Sequence, residues 1–429
     1  MVGNSICFDY TWQSMKYYEK TLKNSLGVVA VPLPSFESAT VTVWVKTGSR
    51  NENEKISGVS HFLEHMAFKG GKKYKNAKAV SEAIDSIGGE FNAGTSKEWT
   101  NYYVRVRSER LEKAFDVLSD MLLDPVLRHS DIEREKGVVV EEIGMYEDTP
   151  MRKIWDVFEQ LIYNGHDLGR DISGTKETVK GLSREDISKY INRHYYANNM
   201  LVTVAGGVSE KKIFSLTQKY FSKLKKGDVQ KTNLFTDNQG KPQTKSIQKK
   251  IEQTHLILGF LGARKIGHEE RYIEGVLNTI LGKGMSSRLV TEVREKRGLA
   301  YAVKSDIDPV TDTGYFAVYA GVDPKKANET VKVILDQCYG LASKKYKISQ
   351  KELDKAKEFL KGHFALALED TRSISSFIGY EKLLIGKTRL PKEVYDGVDR
   401  VTMDQVYDAA KRLFNPNKLN TAYIGPNKT

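Results

Sequence analysis

Two histidines four residues apart, with a glutamate between them, are the residues of this chain best suited to chemistry: His61-Phe62-Leu63-Glu64-His65. On an α-helix, positions i and i+4 share a face, so both imidazoles can be presented to one ion. Zinc takes neutral imidazole nitrogen, and a catalytic zinc has three protein ligands and one position left for water. Glu64 stands beside the pair, where it can accept a proton from a water whose pKa a metal has lowered. Histidine is scarce, 8 among 429 residues, and those at 129, 194, 255, 268 and 363 have no second donor at metal spacing. Phe62, Leu63, Met66 and Phe68 make the helix strongly apolar, so its ionisable residues need a partner other than water.

A three-ligand site needs a donor from elsewhere. Helical periodicity runs over residues 131–148, opened by a capping box of Ser130 with Glu133. At about 100° per residue, Val138, Val139, Met145 and Tyr146 lie within roughly 60° of Glu142, and Glu135 falls near the same line. Two carboxylates on an apolar stripe are costly unless a metal and the groups around it supply partners. Glu142 is the preferred third ligand, Glu141 at the stripe's edge is the alternative, and Glu135 is expected to orient a ligand.

The elements that must position these residues occur twice. The segments beginning at Glu177 (ETVKGLSREDISKYINRHYYANNMLVTVAGGV) and Glu393 (EVYDGVDRVTMDQVYDAAKRLFNPNKLNTAYIGP) each pass from an amphipathic helix through an Asn-containing turn into a short apolar strand ending at glycine. A Glu-Asp-Thr triplet recurs 222 residues apart, at Glu147 and Glu369. Residues 41–46 and 102–107 alternate as half-buried strands do, and residues 111–123 have helical period. The expected fold is α+β: two homologous domains, 1–224 and 249–429, each an antiparallel sheet with helices on one face, joined by a polar linker over 225–248. The second half lacks a copy of the metal motif. At the offset of 222, Glu142 maps to Phe364 and Glu141 to His363.

Composition narrows the partners. The net charge of +12 is concentrated in Lys-rich stretches such as residues 223–250, with eight lysines and two aspartates, and reads as solvated surface. No nucleic-acid signature accompanies it, and no apolar run is long enough to span a bilayer. Only Cys7 and Cys338 occur, which excludes a disulfide framework and a cysteine-based zinc site. With no secretory signal at the N-terminus, the expected location is the cytoplasm, a processed organellar form being the alternative.

These motifs resemble the M16 (pitrilysin-like) metallopeptidases, whose signature is HxxEH, 76 residues, then Glu. Here 76 residues separate His65 from Glu142, which selects Glu142 over Glu141. The resemblance covers nearly the whole chain and implies the LuxS/M16-like fold and one zinc ion per chain, with Glu64 as general base. Residues 88–103 look like the family's substrate-accepting edge strand, with Phe91, Asn92 and Ala93 at its motif. Residues 286–303 look like its Arg/Tyr element, which implies that Arg294 and Tyr301 bind substrate and stabilise an oxyanion. Asp167 departs from the pattern, standing where the family often has Pro after a histidine. The length is that of the half-size, processing-peptidase-type members, which work as dimers enclosing a chamber. A homodimer with composite sites is implied, with a heterodimer as the alternative and peptides or unfolded proteins as substrates. A non-catalytic scaffold is the competing class, but such relatives lose zinc residues that this chain keeps.

Overall fold

The computed structural model describes residues 15–426. Six strands, β1 (Tyr18–Thr21), β2 (Gly27–Pro32), β3 (Ser38–Val45), β4 (Glu90–Thr95), β5 (Thr100–Arg107) and β6 (Met200–Gly206), form a sheet in the order β1-β2-β6-β3-β5-β4. Five more, β7 (Gln243–Gln248), β8 (Thr254–Leu261), β9 (Ala300–Pro309), β10 (Gly314–Val322) and β11 (Leu419–Gly425), form a second sheet in the order β7-β11-β8-β10-β9. Apart from the extra β1, the two orders are the same path traced twice. The recurrent helix-turn-strand segments end in β6 and β11, which hold equivalent central positions.

Three expectations change. Neither sheet is wholly antiparallel: β2 pairs parallel with β6 and β7 parallel with β11, so both sheets are mixed. Each late strand returns to its sheet after several helices, and a connection that long allows a parallel neighbour. The expected linker is also shorter than 225–248, because Gln243–Gln248 is β7 itself.

The helices of the first half are α1 (Val59–Ala67), α2 (Ala77–Asp85), α3 (Leu111–Leu123), α4 (His129–Glu147), α5 (Pro150–Ile162), α6 (Lys176–Gly181), α7 (Arg184–His194) and α8 (Glu210–Phe221). Those of the second are α9 (Arg271–Asn278), α10 (Ala327–Ala342), α11 (Gln350–Ala367), α12 (Thr371–Ile385), α13 (Pro391–Asp399) and α14 (Met403–Leu413), with π-helical turns at Thr279–Lys283 and Val290–Glu295. Helices cover both faces of each sheet, not one. On one face of the first sheet, Val28, Val41 and Val43 meet Phe115, Leu118 and Ile213 of the same half. On the other, Val31, Trp44 and Leu201 meet Ile374 and Ile378 of α12. The exchange is reciprocal, since Ile154, Val157 and Phe158 of α5 pack on Ile257, Ala317 and Ile424 of the second sheet. The helix after each Glu-Asp-Thr triplet thus crosses to the other half's sheet, and each buried side chain of this kind contributes about 1.5–3 kcal/mol.

Polar contacts fix the exchange. Thr40 and Thr42 of β3 bond to Thr371 and Ser375 of α12 at 2.8 and 2.9 Å. Between the halves, the buried Arg50 guanidinium, paired with Glu98 of its own half at 2.7 Å, contacts Asp312 of the other at 2.5 Å. Among the described residues, no helix is long and apolar enough to cross a membrane.

Candidate metal centre

Helix α1 owes its orientation to period. Val59, Phe62, Leu63 and Met66 are buried against Ile132, Val139 and Ile143 of α4 and against Val179 and Ile187, the i, i+3, i+4, i+7 stripe of an amphipathic helix. The adjacent face then carries His61, Glu64 and His65 into a cleft of about 410 Å³, walled across by Glu142 and Tyr146 of α4. One ligand atom each from His61, His65 and Glu142 lies within 4.8 Å of the others. His61 Nε2 is 3.7 Å from Glu142 Oε1, and His65 Nε2 is 3.3 Å from Glu142 Oε2. Donors placed tetrahedrally around zinc at its usual bond lengths stand about 3.3 Å apart, so the donor set fits that ion in both chemistry and spacing. Among the described residues this is the one such cluster.

The surroundings fix the His65 ring. His65 Nδ1 contacts Glu135 at 2.9 Å, and Lys69 lies 2.5 Å from the other Glu135 oxygen. The Glu135 pairing leaves His65 Nε2 to face the cleft, the arrangement of a metal-ligand histidine backed by a carboxylate. Burial opposes charging His65, but hydrogen bonds to Glu135 and Glu142 carry it up to about 9; burial, with His65 beside it, pushes His61 down to about 4. The His65 contact, aided by a hydrogen bond donated from Tyr146 at 2.7 Å, lowers Glu142 to about 2 against its burial. Burial raises Glu64, partly offset by a hydrogen bond donated by Thr95 of β4. A raised carboxyl pKa is what a general base working near neutrality requires.

Helix α4 differs in two details from its sequence reading. It starts at His129 with Arg128 as cap residue, so Ser130 lies inside the first turn and the Ser130–Glu133 box is not formed. Arg128 instead binds Asp131 at 2.6 Å. The stripe around Glu142 is also narrower: Val139 and Ile143 are buried, whereas Val138 and Met145 are about half exposed. Glu142 sits at the rim between core and cleft, and Glu141 is exposed.

Residues 28–176 match the sequence family described as insulinase (peptidase family M16), and residues 181–360 match the peptidase M16 inactive domain. A Bacillus subtilis protein named uncharacterized zinc protease YmxG is 37% identical over 92% of this chain and 95% of its own length. A Rickettsia felis protein named uncharacterized zinc protease is 36% identical over 95% of this chain and 97% of its own. The chain belongs to peptidase family M16. Its length matches these half-size M16 relatives. Among solved structures, a Helicobacter pylori protease superposes with a TM-score of 0.89 at 26% identity, covering 96% of this chain and 99% of that one. A Pseudomonas fluorescens structure described as a peptidase M16 inactive domain has the same fold, with a TM-score of 0.88 at 20% identity over 96% and 98% of the two chains.

The other residues singled out in this M16 chain fall in two places. Phe91, Asn92 and Ala93 lie on β4, the end strand of the first sheet, which among the described residues pairs with β5 alone. Gly94 and Thr95 of that strand line the metal cleft. Arg294 and Tyr301 are neighbours, the guanidinium 5.9 Å from the ring centre, and Tyr301 is 83% exposed. They border a surface hollow that shares no lining residue with the metal cleft. Asp167 pairs with Arg170 at 2.6 Å, away from the ligands. Sequence reasoning missed Thr95, Lys69 and Glu52. Thr95 and Lys69 touch the centre through long-range contacts that have no local period. Glu52 is buried and accepts backbone N–H groups at the start of α1.

Proposed function

We propose that this chain is a zinc-dependent endopeptidase that cleaves extended peptides or unfolded, presequence-like segments. The observation that carries the reading is the convergence of His61, His65 and Glu142 beside Glu64, next to the edge of β4 that no other described strand pairs with. Two imidazoles and a carboxylate hold one zinc ion per chain, and the bound ion supplies Lewis-acid polarisation of water and carbonyl. Glu64 takes the proton from the attacking water and passes it to the leaving amine. Glu135 holds the His65 ring through Nδ1, and Thr95 holds Glu64 toward the cleft.

An extended substrate adds to β4 as a further strand, its main chain hydrogen-bonded and alternate side chains in pockets. The sequence of that edge supports this role. β1, β7 and β9 carry Lys20, Lys245 and Lys304, charges of the kind that keep sheet edges unpaired, whereas β4 (EFNAGT) carries no lysine. Arg294 and Tyr301 serve a partner's metal centre, so the active form is a homodimer with composite sites. Their exposure, in a hollow separate from the chain's own cleft, supports that arrangement.

The test is metal content measured alongside cleavage of an unstructured peptide. One zinc per chain, with cleavage abolished by chelator and restored by zinc, is expected. Stoichiometric zinc without peptide cleavage would leave a metal-binding scaffold.

A further inference from the structure

Helix α1 begins at Gly58, whose φ of +91° is left-handed and whose added Cβ would lie 2.5 Å from the Ser173 carbonyl oxygen. A side chain is therefore excluded where a helix ordinarily takes its own cap. The cap comes instead from Glu52, six residues upstream and only 5% exposed. Its Oε2 accepts the Gly58 N–H at 2.6 Å and its Oε1 the Ser60 N–H at 2.8 Å. The Ser60 hydroxyl meets Tyr190 Oη at 2.7 Å, which also meets Thr47 at 2.6 Å. The Glu52 backbone carbonyl accepts from Arg170 at 2.7 Å, next to residues 171–174, which line the metal cleft. Burying a carboxylate with no side-chain cation in contact is costly. Burial prevails and raises the Glu52 carboxyl to about 7, opposed by the Ser60 and Gly58 hydrogen bonds and the nearby Arg170 charge.

We propose that Glu52 is the positioning residue of the metal centre: by gripping the Gly58 and Ser60 amides it sets where α1 starts along its axis, and so aims His61, Glu64 and His65. The inference rests on the zinc-peptidase reading. Ser60 directly precedes His61, and a slip of α1 would carry both imidazoles and the base off Glu142 together.

The test is Glu52→Gln, whose amide keeps the shape but can accept only one of the two N–H groups. Zinc affinity by chelator competition is expected to fall about 10- to 100-fold. kcat is expected to fall with it at unchanged KM, and amide exchange over residues 58–61 of the metal-free protein to quicken. Tyr190→Phe, which leaves the carboxylate grip intact, is expected to shift zinc affinity in the same direction by less. Should Glu52→Gln not fold, Glu52→Asp, too short to span both amides, is expected to be intermediate. Native zinc affinity and native exchange in the folded Glu52 variant would overturn the proposal. So would an equal loss of affinity in a variant destabilised elsewhere to the same Tm, such as Gly379→Ala. A native protein without zinc-dependent cleavage would defeat the peptidase reading, whereas an unaltered Glu52 variant of a cleaving protein would defeat this inference alone.

Discussion

In the first half, the end strand β4 runs beside α1, a regular helix whose i, i+4 spacing stacks His61 over His65. In the second half, its counterpart β9 runs beside the π-helical turns Thr279–Lys283 and Val290–Glu295. A π turn is wider than the regular helix that carries the metal residues, with hydrogen bonds running i to i+5. Across from that helix, Glu142 of α4 has Phe364 as its counterpart, which packs edge-on against Phe377 and Tyr395. The second half lacks the ligands, with no histidine over its residues 271–295. One copy of a duplicated scaffold keeps a polar corner, and the other has a partly buried phenylalanine at the position of its carboxylate ligand.

The sharpest break of that comparison is Glu64→Gln. If the first half alone carries the chemistry, kcat/KM falls about 1,000-fold or more while zinc stays bound, read by peptide cleavage beside metal analysis. Near-native cleavage would remove Glu64 as the base and reopen the second half as a source of activity.

The next effect bears on how the halves are held together. Arg50 of the first half is buried and contacts Glu98 of its own half and Asp312 of the second. Arg50→Met strips the cation from two carboxylates, a loss of about 3–5 kcal/mol, measurable by urea unfolding. A change below 1 kcal/mol would mean that the apolar helix exchange alone carries the junction.

That exchange marks the boundary of what the sequence made legible. The duplication, the metal residues and the helix of residues 111–123 follow from motif, repeat and period, because each is a local pattern. The covering of both sheet faces had a signal that went unused: β2 (GVVAVP) and β6 (MLVTVAG) read as nearly unbroken apolar runs, as strands buried on both faces do. Which helix covers the second face has no local signature, because α5 and α12 find their sheets across the molecule. The same holds for Thr95, whose partner Glu64 is set by tertiary contact.

The two exchanged interfaces place their bulk on opposite partners. Trp44 of β3 lies against Gly379 of α12, where an added Cβ would come 2.3 Å from the indole nitrogen. Phe158 of α5 lies against Gly259 of β8, where an added Cβ would come 2.2 Å from the ring. Trp44 and Gly259 hold equivalent places, each paired with the second residue of the central strand, Leu201 or Asn420. Gly379→Ala and Gly259→Ala are each expected to cost about 2 kcal/mol by overpacking, seen as a lowered urea midpoint. A neutral outcome at either would show that side of the exchange to be loosely packed.

The smallest effect tests whether the halves of two chains cooperate. Removing the Tyr301 hydroxyl or the Arg294 cation takes one donor from a developing oxyanion, and Tyr301→Phe is expected to lower kcat about 10-fold. Arg294→Ala combined with Tyr301→Phe deepens the loss without touching zinc. Mixing that double variant with Glu64→Gln then discriminates. In a homodimer whose metal centre faces its partner's Arg294 and Tyr301, a mixed dimer contains one site with every native group. Random exchange of chains therefore restores about a quarter of native activity. Sites complete within one chain would give no recovery on mixing, because each chain would carry its own defect. A requirement for a sister chain would appear as low activity in the native homodimer itself.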